Sequence, residues 1–203
     1  MSPSHFLSAP ACARKVAHAR TIQFVSYERE DGLLDLEALL EDTKPETFTT
    51  QTAHFPCGVP IHLMAIRLTV TRSMEVVQAE ASMPRTPIPS TCTATAGSLS
   101  RLVGTNLLQG FRKEVASRIG SSDRCSHLSE LASMLPTLAI QTMMKEQAAK
   151  ELAGAQQDRP PAKIDGCHAW RIDGPAVLKF YPQWHRPPLQ IRSRRKGAPE
   201  RKT

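Results

Sequence analysis

The run at residues 61–70, Ile-His-Leu-Met-Ala-Ile-Arg-Leu-Thr-Val, constrains the fold of this chain more than any other segment. It is rich in β-branched residues, and His62, Met64, Ile66, Leu68 and Val70 fall on one face. A period of two marks a strand with one face against a core. Such a strand needs partners. Residues 74–81 follow through a short turn at 71–73 and are placed to pair with it. Upstream, residues 21–27 are rich in β-formers, and Gly32 opens a turn. Leu34, Leu36, Ala38 and Leu40 then alternate with Asp35, Glu37 and Glu41. A helix over the same Leu-rich acidic run is the alternative, but the Asp31-Gly32 dipeptide favours a hairpin. The expected product is an antiparallel meander.

The second half changes period. Pro84, Pro87 and Pro89 are expected to break the sheet, and Cys92 leads a stretch of small residues. Helical spacing begins near Ser98 and is interrupted at Gly104. Leu107, Leu108, Phe111, Val115 and Ile119 mark a second helix that stops at Gly120. Ser126 suits the N-cap of a third helix, with a stripe of Leu128, Leu131, Leu135 and Leu138 and a bend expected at Pro136. Residues 156–162 read as a linker. Residues 167–172 and 176–181 read as a hairpin across Asp173-Gly174. The fold class is therefore α+β, an antiparallel sheet with helices packed on one face. The expected organisation is a flexible arm at 1–13, a single domain at 14–184 and a disordered basic tail at 185–203.

Charge narrows the function classes. The net charge is +7, but residues 185–203 carry seven Lys and Arg against one acid, Glu200, which is +6. The other 184 residues share the remaining +1. A nearly neutral body makes nucleic acid a poor partner for the domain and leaves weak contact through the tail. No stretch is long and apolar enough to span a bilayer. Arg14, Lys15 and Arg20 precede the first acid, Glu28, as in a transit peptide, but no apolar core of a secretory signal is present. The expected location is the cytoplasm. Five widely spaced cysteines, an odd number, argue against a disulfide framework.

The chemistry-bearing residues are His62 at a strand start, Cys92 before a helical region, and Cys125 and His127 on either side of Ser126. Thiolate and imidazole together suit zinc, iron or an iron–sulfur cluster. A helix N-terminus also favours a thiolate at Cys125. No Cys-x-x-Cys pair occurs, so the spacing is equally that of two buried thiols, a core histidine and a self-capping His127. Cys167-His168 is a second ligand source, of which adjacent strand positions would present only one to any site. His54 and Cys57 lie in a polar loop, and Cys12 in the arm. His18 and Arg20 with Asp42 and Lys44 form either a polar cluster near the site or edge-strand charges. No Gly-x-Ser-x-Gly elbow or glycine-rich phosphate loop occurs.

Three segments carry a resemblance: Gly58-Val59-Pro60-Ile61-His62, Cys92 with its Thr/Ala/Gly/Ser run, and Cys125-Ser126-His127-Leu128-Ser129-Glu130. In order and approximate spacing these are similar to the iron–sulfur scaffold proteins of the NifU N-terminal class, over residues 58–145. The whole chain more closely resembles the bacterial domain-of-unknown-function family 2889, grouped with the SufE/NifU fold, through His18-Ala19-Arg20, Asp42-Thr43-Lys44-Pro45, Gly166-Cys167-His168 and the segments above. The resemblance implies ligands at His62, Cys92 and Cys125, with His127 as a fourth, holding zinc or an iron–sulfur cluster. It also implies a protein partner in sulfur or cluster transfer. Departures are His62 for the first scaffold cysteine, Met64 for the scaffold aspartate that assists cluster release, and Arg124 before Cys125. The leading expectation is a metal-binding, non-catalytic or carrier protein. The alternatives are a thiol-dependent sulfur acceptor or enzyme using Cys125 or Cys92, and an adaptor acting through the basic tail.

Overall fold

The computed structural model describes residues 6–119, 124–153, 159–161 and 163–187. The chain divides into two compact units, Met1–Gln147 and Ala148–Thr203. Most of the expected basic tail, residues 188–203, lies outside the described residues, as do 1–5 of the expected arm and 154–158 and 162 of the expected linker region.

The first unit is built on a four-stranded antiparallel sheet in the order β1-β2-β5-β6. Its strands are β1 (Ala19–Glu28), β2 (Leu34–Thr43), β5 (His62–Val70) and β6 (Val76–Arg85). The Asp31-Gly32 turn joins β1 to β2, with Gly32 at φ 83° and Arg29 N–H donating to Leu33 C=O at 3.0 Å. A left-handed residue costs glycine least, which is why the hairpin forms here. Between β2 and β5 the polar loop contains a small ribbon, β3 (Phe48–Thr49) and β4 (His54–Phe55), where the Phe48 and Phe55 rings stack at 4.8 Å.

One sheet face forms the core. Leu34, Leu36, Ala38 and Leu40 of β2 and Met64, Ile66, Leu68 and Val70 of β5 are almost fully buried. They pack in one cluster with Leu99, Leu102, Phe111, Val115, Leu128, Leu131 and Leu135 from the helical half. The opposite face presents Gln23, Tyr27, Glu37, Leu39, Arg67 and Glu80 on an open surface. Arg67 lies there between Glu37 and Glu80, donating to each at 2.7 Å.

Several expectations change. The sheet does not end before Pro84: β6 continues through Met83 and Pro84 to Arg85, and Arg85 pairs with Leu63. Since β6 is an edge strand, the missing N–H of Pro84 costs no ladder bond on its free side. Residues 167–181 are not a hairpin. His168–Trp170 is a 3₁₀ turn and Pro175–Phe180 is a helix, α4. Pro175 sits at the first helical turn after an extended Gly174, where a fixed φ and an absent N–H suit a helix start.

The helical half begins earlier than the spacing suggests. One turn, α1 (Pro89–Cys92), leads into a 3₁₀ run, Thr93–Leu102. Thr93, Thr95, Ser98 and Ser100 hydroxyls donate to carbonyls three or four residues back, which competes with regular α-helix bonding. Then come α2 (Phe111–Arg118) and the long α3 (Ser126–Leu152), which contains Pro136. No described helix is long and apolar enough to cross a membrane.

Candidate functional site

The pairing register determines the site. β2 alternates buried residues from Leu34 to Leu40, and the next residue in that phase is Asp42, only 1% exposed. Its partner in β1 is Arg20 and its partner in β5 is His62. Three polar side chains therefore stand in one row across three strands, where the next row inward is Ile22, Leu40 and Met64. His18 precedes Arg20 by two residues. The first turn of α3 brings His127 to the same row.

Asp42 is the hub. Arg20 grips it with Nε on Oδ1 and Nη2 on Oδ2, both at 2.8 Å. His18 Nε2 lies 3.0 Å from Oδ1, and His62 Nδ1 lies 3.0 Å from Oδ2. An ionised carboxylate only accepts, so each of these ring nitrogens donates a proton to it. His127 Nε2 stands 3.9 Å from Oδ2, and its ring lies 4.1 Å from that of His62. Arg20 also donates from Nη1 to Glu130 Oε2 at 2.9 Å, one turn along α3 from His127.

The electrostatics follow from burial against partners. Burial alone would raise the Asp42 carboxyl, but the Arg20 and His18 hydrogen bonds outweigh it and hold the group at about 2. The His127 imidazole is pushed down by burial first, then by the charge on His62 and Arg20. A neutral His127 is the form that can ligate a metal.

Asp42, His62 and His127 each offer one ligand atom, all within 4.8 Å of one another. Of the four candidate ligands, His62 and His127 lie in this group, together with Asp42. Cys92 and Cys125 are half-buried and pack against the hydrophobic core. Neither belongs to that three-ligand group. Cys57 is exposed and its Sγ donates to Pro45 C=O at 2.9 Å, while Cys12 and Cys167 are exposed. Asp42 is a ligand-capable residue that in the sequence stands as one charge in a polar cluster. The available signal was its phase: an acid in the buried register of an apolar strand needs a partner to justify it.

The family described as a protein of unknown function (DUF2889) matches residues 18–141, more than half of the chain. The matched span contains His18, Arg20, Asp42, His62, His127 and Glu130. No curated protein and no solved structure matches the chain.

Proposed function

The chain belongs to the DUF2889 family, and from that premise and the polar row we propose that it binds a divalent transition metal through Asp42, His62 and His127. The observation that carries this reading is the approach of a buried carboxylate and two imidazoles to within 4.8 Å at one end of an apolar sheet face. Two nitrogens and one oxygen suit zinc or ferrous iron better than a cluster, which thiolates hold. Zinc is the favoured ion. Three protein ligands leave a tetrahedral ion one open position, the arrangement of reactive rather than purely structural zinc sites. Arg20 and His18 on Oδ1 would orient the carboxylate, as partners behind a metal ligand do. Ligation at His62 Nδ1 requires loss of the proton that it donates to Asp42.

The experiment is zinc titration of chelator-treated protein, with metal content measured on material purified without oxygen. His62→Ala and His127→Ala are expected to weaken zinc by at least about tenfold. Cys92→Ser and Cys125→Ser are expected to leave it unchanged. A second reading, a thiolate site of His62, Cys92 and Cys125 on a SufE/NifU-like scaffold, draws support from two half-buried thiols on the same core. Loss of metal in the serine variants with full retention in His127→Ala would replace the first reading by the second.

A further inference from the structure

Close in the chain to the polar row is a groove of about 350 Å³, lined by residues 15–17 on one side and 44–48, including Glu46, on the other. It begins where β1 and β2 part company. Ala19 pairs with Thr43, and beyond that pair the chain runs outward through His18 and Ala17 on one side and Lys44 on the other. The groove is therefore one residue from His18 and two from Asp42 in the chain. Its volume is at the small end for ligand sites.

Its chemistry is mixed in a specific way. Val16, Pro45 and Phe48 supply apolar surface, and Phe48 is braced from behind by its stack on Phe55. Lys44 is half-buried, and its ammonium makes no ion pair or hydrogen bond among the described residues. Lys15 is paired to Glu46 at 3.2 Å, but those side chains are 84% and 73% exposed, so that pair is weak and easily opened. At the polar row, Asp42 and Glu130 stand against Arg20. A divalent ion on three protein ligands leaves one coordination position open. One unpaired ammonium and an open metal position match an anionic head group on a short apolar body.

We propose that this groove binds a small aliphatic carboxylate, whose head group lies between Lys44 and the open metal position and whose chain lies against Val16, Pro45 and Phe48. The proposal rests on the metal reading for its head-group contact, while Lys44 and the apolar wall belong to the groove alone.

The test is an NMR titration of the full chain with hexanoate, with hexanol as the uncharged control, in metal-free and zinc-loaded protein. Hexanoate is expected to shift the resonances of Val16, Lys44 and Phe48 in both states and to bind about tenfold or more tightly with zinc present. Hexanol is expected to bind more weakly in both. Lys44→Ala is expected to weaken hexanoate about three- to fivefold in either state. Phe48→Ala checks the apolar wall and is expected to weaken hexanoate and hexanol alike. If zinc binds but hexanoate leaves Val16, Lys44 and Phe48 unmoved, the groove proposal is overturned and the metal reading stands. If zinc does not bind but hexanoate shifts these residues and depends on Lys44, the metal reading fails and the groove survives without its metal contact. Equal binding of hexanoate and hexanol would overturn the carboxylate assignment.

Discussion

At the scale of single residues, Asp42 is the informative case. A carboxylate at 1% exposure would be costly alone, and here four donors converge on its two oxygens or stand close by. Its carboxyl lies at about 2, against an ordinary value of 3.8. A depressed carboxyl contributes stability that is fully present above the unfolded value and is lost as pH falls through the folded one. The window therefore runs from about pH 4 down to about pH 2, and the amount lost is about 2 kcal/mol. Urea unfolding of metal-free protein at pH 5 and at pH 2.5 measures it. Asp42→Asn should be less stable at pH 5, because Arg20 loses its charged partner, and should lose less between the two pH values. An Asp42→Asn variant with an unchanged acid-side slope would show that other carboxyls carry the loss.

At the scale of elements, the strands around the site were legible and the polar group at their end was legible only in part. The alternation of residues 61–70 identified β5 and its buried face because a two-residue period admits few other structures. The consequence is direct: Ile66→Asp places a carboxylate among Ala38, Leu68 and their neighbours with no donor, a cost of several kcal/mol against a total of about 5–15. Circular dichroism of that variant should report an unfolded chain, and a cooperative native-like melt would contradict the buried assignment. His62 and His127 stood out because imidazole is a scarce, ligand-capable side chain at an element start. Asp42 did not, because its role depends on a register between three strands that no local window contains. The segment 167–181 was misread for a related reason. Its apolar residues are too few to distinguish periods of two and 3.6, so Pro175 decides the outcome by starting a helix. At Pro84 a local breaker is tolerated because the strand is on the sheet edge.

At the scale of the whole molecule, the two units are stabilised by different means. The first has an extended apolar cluster of strands and helices. In the second, among the described residues, a polar–aromatic cage is prominent. Lys163 Nζ lies 4.9 Å from the Trp170 ring and 4.8 Å from the Tyr181 ring, and 3.3 Å from Glu151 Oε1. The Tyr181 hydroxyl donates to Glu151 Oε2 at 2.6 Å. Burial pushes the Lys163 ammonium down, but Tyr181 and Glu151 overcome it and the net direction is up. Burial, then Glu151, raises the Tyr181 phenol as well. Raised groups contribute stability below their unfolded values and lose it as pH rises, so this unit should weaken above about pH 10. Lys163→Ala should cost about 1 kcal/mol through the lost cation–π and ion-pair contacts. Hydrogen exchange of the α4 amides reads this directly, with faster exchange in Lys163→Ala and in wild-type protein at high pH. Unchanged protection would mean that the cage is incidental to the unit's stability.

The row Arg20–Asp42–His62 makes the strands behave as a ruler. Arg20 and Asp42 are matched by counting residues from the Asp31-Gly32 turn, His62 is matched to Asp42 by the β2–β5 register, and the apolar face is set by the same registers. One residue inserted into β2 between Leu34 and Asp42 would turn either the leucines or the aspartate to the wrong side. Side chains of the site can therefore be exchanged one at a time, while the lengths of β1, β2 and β5 are locked to one another. Over many generations such a protein can change what its site does far more readily than it can change the spacing that holds it.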